Sequence, residues 1–395
     1  MNIIDYCTWR GDLSFKNDPF NFVDNLLLTQ IVYSTFDDYL KEGEAKTISE
    51  LADCFFTDPK NKKMINSKSF VSDTIYALKA AGKTNRFGRC KVYNYVSILH
   101  PESTEQFAAL MVDIGDGTTA VVFRGTDDTL IGWHEDLLLS YTLMPAQIDA
   151  VNYVNKYCRP FHKYRLLGHS KGGNLALYSA INCNARVQNR IIQVISNDGP
   201  GLRPNTYSKE VFDKFSDRYY KIVPEYDLFG VIYDNAKNKI VVKSDQKELL
   251  QHSGMSWQVI GNQFESADDI NYISKSYKQG FDKFLQDTSI EQRSIMINEI
   301  FNYLYKAGIN NISDFVNGGV PVLVKAVKAI VEINPDAKET LGKLLKVFVS
   351  AQEDNINKTF SDSKNFVKNK AHKVGNNIET VLSNKVKTVS KKIKK

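Results

Sequence analysis

Ser170 lies between two glycines, Gly168 and Gly172, in the segment YRLLGHSKGGNLA (164–176). The apolar residues before this serine predict a buried strand, and the residues after it favour a helix. A nucleophilic serine needs such a bend, because the bend projects the hydroxyl from the sheet and crowds the positions two residues before and after it. The N-terminus of the following helix also favours negative charge beside the serine. The segment therefore predicts a nucleophile elbow at Ser170 rather than an ordinary turn.

The elements that must position this serine alternate between strands and helices. β-Branched and aromatic segments predict strands at 90–100, 107–115, 118–125, 164–168, 190–198, 218–227 and 239–244. The pattern predicts helices within 20–56, around 129–139, at 149–161 and directly after Ser170. After about residue 262 it favours helix throughout. This order predicts an α/β fold that is followed by a helical C-terminal extension.

Two motifs in order, VVFRGTDDTLIGWHEDL (121–137) and LLGHSKGG (166–173), resemble the fungal-type (class 3) lipases of the α/β-hydrolase superfamily. The segment PFNFVDNLLLTQIVYSTF (19–36) and the later NDGPG resemble a largely uncharacterised bacterial branch of lipase-like proteins. The resemblance implies an α/β-hydrolase-like sheet with N-terminal helices packed on it. We therefore expect a catalytic domain at 1–265, a helical extension at 266–355 and a Lys-rich amphipathic or flexible tail at 356–395.

A general base for Ser170 must come from a histidine later in the chain, because the triad order in α/β-hydrolases is nucleophile, acid, histidine. His252 and His372 are the two histidines that follow Ser170. His372 lies among lysines, which indicates a solvated side chain. His252 follows the predicted strand KIVVKS in a loop-like segment, which is where a catalytic histidine belongs. We interpret His169, which adjoins the serine, as a packing residue.

Two aspartates are candidates for the acid that orients His252. Asp198 and Asp227 each end a predicted strand, and α/β sheets place their chemistry at such ends. The resemblance favours Asp227, since its spacing from Ser170 and the segment VPEYD are similar to those of the family's acid. Asp198 stays the alternative acid, although the sequence Asn-Asp-Gly-Pro around it is also strong turn chemistry.

The resemblance also implies an oxyanion hole and a lid. The backbone N–H groups of Lys171 and Thr126 would form the hole, with the Thr126 hydroxyl as a further donor. Asp136 would either orient Thr126 or be an ordinary carboxylate on the helix surface. Residues 127–145 would form the lid, because they carry more apolar side chains than a two-faced helix needs. Those side chains include Leu130, Trp133 and Leu137.

Charge is distributed unevenly along the chain. The net charge is +6, but residues 357–395 carry eleven lysines and two acidic residues, which makes this tail +9 and the remainder −3. A mildly acidic body does not favour nucleic-acid binding. Apolar residues at helical spacing between Val374 and Ile393 predict a segment that lies on an anionic membrane surface. A solvated end is the alternative interpretation.

The remaining features argue for simple chemistry in a reducing compartment. The N-terminus lacks the basic flank and apolar stretch of a signal peptide, and the five cysteines are scattered without metal-type spacing. We therefore expect a cytoplasmic protein, peripheral to the membrane if the tail binds there. The sequence has no phosphate-binding glycine loop and no metal-ligand motif, and serine chemistry needs neither metal nor cofactor.

Two functions of different classes are consistent with these patterns. The first is a serine hydrolase that cleaves a carboxylic ester, such as a lipid or acyl ester, through Ser170, Asp227 and His252. The second is a catalytically silent protein of the same fold that binds a membrane or a partner. The complete order of elbow, acid and histidine favours the hydrolase.

Overall fold

A mixed eight-stranded sheet lies at the centre of the computed structural model, which describes residues 1–66, 70–127, 129–306 and 308. The strands lie side by side in chain order: β1 (Ala45–Thr47), β2 (Lys91–His100), β3 (Glu105–Asp113), β4 (Thr118–Phe123), β5 (Lys163–His169), β6 (Ile191–Asn197), β7 (Tyr219–Pro224) and β8 (Asn238–Val242). Strands β1 to β4 pair antiparallel, and β4 to β8 pair parallel. Two short strands, β9 (Val259–Ile260) and β10 (Gln263–Phe264), form a separate antiparallel pair.

Helices cover both faces of this sheet. In chain order the described helices are α1 (Ile3–Arg10), α2 (Phe22–Ile31), α3 (Ile48–Thr57), α4 (Lys62–Ile65), α5 (Phe70–Gly82), α6 (Leu130–Leu138), α7 (Pro145–Tyr157), α8 (Lys171–Asn182), α9 (Ala185–Gln188), α10 (Lys209–Phe215), α11 (Tyr272–Asp287) and α12 (Ile290–Lys306). A short 3₁₀ turn, Glu248–His252, follows β8 and carries the candidate base.

Side chains alternate along the strands, so the sheet separates two apolar clusters. Val122 and Leu167 face the N-terminal helices, whereas their neighbours Val121 and Leu166 face α7 and α8. This alternation is what a pleated strand imposes, and burial on both faces explains why β4 (TTAVVF) is apolar throughout its centre. Both faces of the sheet are therefore covered, and the ends of its strands are left as the place for polar site residues.

Three strands that the sequence predicts around Ser170 lie side by side in the sheet. Val121 of β4 pairs with Leu166 of β5, and Leu166 pairs with Val194 of β6, all in parallel register. A hairpin turn at residues 116–117 joins β3 to β4, with Gly117 at a φ of 87°. The α/β prediction is confirmed. Since parallel strands end at one edge, the residues that follow β4, β5, β6 and β7 meet there.

A buried ion pair attaches the N-terminal helices to the sheet. Arg86, which lies between α5 and β2, donates two hydrogen bonds to the carboxylate of Asp24 on α2, at 2.8 and 2.6 Å. Both side chains are fully buried. The same guanidinium also donates to the carbonyl oxygens of Leu13, Asp18 and Pro19. One side chain thus ties three segments together, and it is satisfied by charge-assisted hydrogen bonds.

Helices α11 and α12 belong to the predicted extension at 266–355, and they pack directly on the sheet. Phe281 and Phe301 share an apolar cluster with Val223 of β7 and Val241 of β8. The rest of that extension beyond residue 308, and the whole predicted tail at 356–395, lie outside the described residues. Within the described residues, none of the helices combines the length and apolar character needed to cross a bilayer.

Candidate active site

The backbone bends sharply at Ser170, between β5 and α8. The serine has φ 55° and ψ −131°, and Lys171 begins the helix. A Cβ atom on Gly168 would lie 2.0 Å from the carbonyl carbon of Gly172, and one on Gly172 would lie 2.3 Å from the carbonyl oxygen of Phe123. Any larger residue would collide at either position. The strand–turn–helix geometry expected around Ser170 is therefore present, and both glycines are required by close backbone approach.

Three polar side chains form a hydrogen-bonded chain at this bend. Nε2 of His252 lies 3.0 Å from Oγ of Ser170, and Nδ1 of His252 lies 2.6 Å from Oδ2 of Asp198. The Asp198 carboxylate accepts the Nδ1–H, which leaves the Nε2 lone pair to accept the proton of the serine hydroxyl. This arrangement can activate Ser170 as a nucleophile.

The sequence favours Asp227 as the partner of His252, and the structure corrects this expectation. Asp198 follows β6, the strand next to the elbow, and its N–H donates to the carbonyl of Ile222 at 2.7 Å. Its φ of 50° turns the side chain towards His252. Asp227 lies further along the edge, where Oδ1 accepts the N–H of Val231 at 3.2 Å. The alternative aspartate, Asp198, therefore makes the contact with the imidazole.

Burial favours the neutral imidazole that this arrangement needs. Desolvation lowers the pKa of His252 to about 4, and the nearby charge of Asp227 opposes that shift. Desolvation also raises the pKa of the Asp198 carboxyl, while a hydrogen bond with Asp227 and the positive charge of Lys221 act in the opposite direction. His252 is therefore unprotonated at neutral pH and can accept a proton.

Another histidine, His169, forms a hydrogen bond to the backbone of His252. Nε2 of His169 lies 2.8 Å from the carbonyl oxygen of His252, so Nε2 carries the proton and donates. Nδ1 then accepts from the hydroxyl of Tyr33, at 3.2 Å. Burial lowers the pKa of His169 to about 3, so this ring stays neutral. His169 packs in the core, as expected, but it also connects Tyr33, which follows α2, to the 3₁₀ turn that carries His252.

The oxyanion hole expected from Lys171 and Thr126 stays a prediction, but the backbone next to both residues approaches Ser170. Lys171 is the first residue of α8, and N–H groups in the first turn of a helix have no acceptor within it. Thr126 follows β4 next to Gly125, where an added Cβ would lie 3.1 Å from Cβ of Ser170. The Thr126 hydroxyl donates to Oδ2 of Asp136 at 2.5 Å. Asp136 therefore contacts Thr126, and the hydroxyl proton is directed to this carboxylate.

The side chain of Lys171 is buried in an ion pair behind the elbow. Its ammonium lies 2.7 Å from Oε2 of Glu135 on α6 and 2.9 Å from the carbonyl oxygen of Gln106. Oε1 of the same Glu135 accepts the N–H of Ala146 at 3.0 Å. Both charged side chains are almost fully buried. The pair fastens α6 to the helix that begins at the candidate nucleophile.

An apolar cavity of about 350 Å³ opens onto Ser170. Its walls come from α6, α11, α12 and the connections between strands and helices. The lining includes Leu137, Met144, Tyr277, Phe281, Met296 and Ile300. A predominantly apolar cavity with a few polar groups at one end is the usual form of a small-molecule site. An elongated apolar group could therefore enter the cavity with its polar end at Ser170.

A family model described as Mbeg1-like matches residues 81–302, more than half of the chain. The chain belongs to the Mbeg1-like family. Among solved structures it is similar to M37 lipase, at 14% identity over 54% of this chain and 69% of that one, with a TM-score of 0.33. It is also similar to a fungal lipase–inhibitor complex, at 13% identity over 64% and 86%, with a TM-score of 0.32. No curated protein sequence matches it.

The segment expected to form a lid is folded over the site of this Mbeg1-like chain. Leu130 is buried against α12, and Leu137 is 42% exposed and lines the cavity. His134 stacks on Phe301, with the ring centres 4.3 Å apart. Trp133 lies on α6, and its side chain is outside the described part. Opening of this segment stays a prediction, and it would have to break the contacts of α6 with α12 and Lys171.

Several residues of the site carry no recognisable sequence signal. Tyr33 lies in a run that predicts a helix and nothing more, and Phe229, whose ring centre is 4.2 Å from that of His252, lies in a turn. Glu135 and Asp136 are adjacent acidic residues, and the sequence alone does not indicate that Glu135 pairs with Lys171 whereas Asp136 contacts Thr126. Within the residues that the structure describes, no group of three or more His, Cys, Asp or Glu side chains could hold a metal ion.

Proposed function

We propose that this Mbeg1-like protein is a serine hydrolase that cleaves carboxylic esters of lipid or acyl type. The observation that carries the proposal is the unbroken hydrogen-bonded chain from Ser170 through His252 to Asp198, at 3.0 and 2.6 Å. Nucleophile, base and orienting acid in this order are the requirements of acyl transfer by serine.

The reaction follows from the atoms at the site. Oγ of Ser170 attacks the ester carbonyl carbon as Nε2 of His252 takes its proton, and Asp198 stabilises the resulting imidazolium. The carbonyl oxygen becomes negative and accepts hydrogen bonds from the N–H groups of Lys171 and Thr126. His252 then protonates the departing alcohol, which leaves an acyl–serine ester. Water, deprotonated by His252, cleaves this ester and restores Ser170. None of these steps needs a cofactor.

The cavity at Ser170 favours substrates with an apolar acyl group. It opens at Ser170 and is lined mainly by aliphatic and aromatic side chains, including Met296 and Phe281. Burying methylene groups there stabilises a bound acyl chain by about 0.8 kcal/mol for each group. Short acetyl esters would leave this apolar surface unused. We therefore expect esters of longer acyl chains to be cleaved with higher kcat/KM than acetates.

A fluorophosphonate probe and a series of p-nitrophenyl esters test the proposal. The wild-type protein should become labelled on Ser170 and should hydrolyse the esters, whereas Ser170→Ala should do neither. Ser179→Ala is the matched control, because Ser179 lies on α8, the helix that begins directly after Ser170, and its hydroxyl donates to the carbonyl oxygen of Ala176. Absence of both labelling and hydrolysis in a folded wild-type protein would favour the silent, membrane- or partner-binding alternative.

A further inference from the structure

Two buried carboxyl groups meet behind His252. The side chains of Asp198 and Asp227 are fully buried, and both adjoin the α-carbon of Gly230. A Cβ atom on Gly230 would lie 2.8 Å from Oδ1 of Asp198 and 2.8 Å from Oδ2 of Asp227. The residue between the carboxyl groups must therefore lack a side chain. Such a close pair cannot carry two negative charges at low cost in a desolvated site.

The hydrogen bonds of the two groups differ. Asp198 accepts from Nδ1 of His252 at 2.6 Å and from the N–H of Gly230 at 3.2 Å, through different oxygens. Asp227 accepts at Oδ1 from the N–H of Val231 at 3.2 Å. Among the described residues, no donor reaches Oδ2 of Asp227, which is buried. A buried carboxylate oxygen without a donor is unfavourable, but a protonated one is itself a donor.

We propose that Asp227 is a neutral carboxylic acid that donates a hydrogen bond to Asp198 and holds the Asp198 carboxylate against His252. The proton belongs on Asp227 because Asp198 already faces the imidazole N–H, which stabilises a negative charge. This role rests on the proposed hydrolase function. It makes Asp227 a positioning residue that acts through Asp198, with no contact to the substrate.

The charges around the pair agree with this assignment. Desolvation raises the pKa of Asp227 well above the usual value, and the negative charge of Asp198 raises it further. Lys221 on β7 lowers the pKa of both carboxyls, but its ammonium is already bound to Asp234, 3.2 Å away, and to the carbonyl oxygen of Gly230. The pKa of Tyr277 on α11 is raised mainly by burial, and the nearby Asp227 carboxyl adds to this shift.

Substitutions at Asp227 that keep or remove the donor separate this role from general packing. Asp227→Asn keeps a neutral donor, so we expect kcat/KM and its pH profile to stay close to wild type. Asp227→Leu keeps a similar branched shape without a donor, and we expect kcat to fall about 10- to 100-fold, as for other groups that orient a catalytic residue. Asp198→Asn, the comparison variant, should lose about 10⁴-fold in kcat.

The protonation state can be measured without turnover. An infrared difference spectrum of the wild-type protein against Asp227→Asn at pH 7 should contain the carbonyl stretch of one protonated carboxylic acid. A carboxylate band in its place would overturn the proposal even if Asp227→Leu does not fold. So would an Asp227→Asn variant as inactive as Asp198→Asn, or a folded Asp227→Leu variant with wild-type kcat and pH profile. Failure of wild-type protein to label at Ser170 would count against the hydrolase function and leave the infrared result standing.

Discussion

At the scale of single residues, His252 combines two contacts with strong burial. Its Nε2 faces Ser170, its Nδ1 faces Asp198, and the ring of Phe229 lies over it. Desolvation disfavours the imidazolium, whereas the Asp198 carboxylate favours it when it forms. In the proposed reaction His252 would thus be neutral at rest and charged only after it accepts the proton of Ser170, which is what a general base requires.

The pH dependence of kcat/KM should report this balance. Activity requires neutral His252, so it is lost as the pH falls through the pKa of the Asp198–His252 pair. Burial lowers the pKa of His252 to about 4 and raises that of Asp198 to about 7, so we expect the pair to take up its proton, and activity to fall, between these two values. The measurement is kcat/KM for a soluble ester between pH 4 and 8, with circular dichroism at each pH to confirm folding. A midpoint above about 7 would contradict this prediction.

At the scale of elements, the buried pair of Lys171 and Glu135 connects α8 to α6. Lys171→Met should destabilise the protein by about 3–5 kcal/mol, because it leaves the Glu135 carboxylate buried without a cation. The double variant Lys171→Met/Glu135→Gln should recover much of this loss, since neither side chain is charged. Urea unfolding of both variants measures the difference in free energy of unfolding.

Activity provides a second readout for the same variants. Lys171 would serve the oxyanion through its backbone N–H, so a folded double variant should keep ester hydrolysis within about tenfold of wild type, a cost of about 1.4 kcal/mol in the barrier. Lys209→Met is the control, because Lys209 pairs with Asp213 on the exposed surface of α10, where loss of a pair changes stability little. Equal destabilisation by Lys209→Met and Lys171→Met would argue against a special role for the buried pair.

The strands could be predicted because their patterns are local. Parallel strands that are buried on both faces are recognisable in the sequence as short apolar runs. The bend at Ser170 is recognisable because it requires glycine at two fixed positions. The choice of acid could not be made in this way. Asp198 and Asp227 both follow strands that end at the same edge, and what separates them is the left-handed turn at Asp198 and its contact with His252. The sequence Asn-Asp-Gly-Pro indicates a turn at Asp198, but it does not indicate which residue the Asp198 side chain contacts.

At the scale of the whole molecule, the cavity joins residues from distant parts of the chain. Leu137 comes from α6, whereas Met296 and Ile300 come from α12, near the end of the described region. An amphipathic helix such as α12 is recognisable in sequence, but the surface it covers is not. For this reason the sequence placed α11 and α12 in an extension at 266–355, although both contribute to the cavity at Ser170.

Filling the cavity should therefore change the acyl preference. Met296→Trp should lower kcat/KM for dodecanoate esters much more than for acetate esters, because the larger side chain occupies the space that a long acyl group would use. The measurement is kcat/KM across p-nitrophenyl esters of increasing chain length. Ile290→Trp is the control, since Ile290 lies on the same helix and is 54% exposed. An unchanged preference in folded Met296→Trp would contradict the assignment of this cavity to the acyl chain.

The tail at 356–395 carries a separate, sequence-based prediction. Its lysines should attract the protein to anionic membranes, at about 1 kcal/mol for each basic residue near the surface. Deletion of residues 357–395 should reduce sedimentation with phosphatidylserine vesicles and leave turnover of a soluble short-chain ester unchanged. Added salt should weaken binding of the full chain, because it screens the attraction. Equal sedimentation of both proteins would indicate a merely solvated end.

The backbone conformation of Ser170 has a consequence for the evolution of this protein. A serine at φ 55° and ψ −131° is held in a region that costs about 1–3 kcal/mol for residues with a side chain. Glycine adopts this conformation without strain. Its greater freedom in the unfolded chain lowers the stability by about 0.4–1 kcal/mol, which is less than the strain it removes. Ser170→Gly should therefore unfold at a higher urea concentration than Ser170→Ala. Selection for stability alone would remove the serine, so its retention in a lineage would measure selection for chemistry.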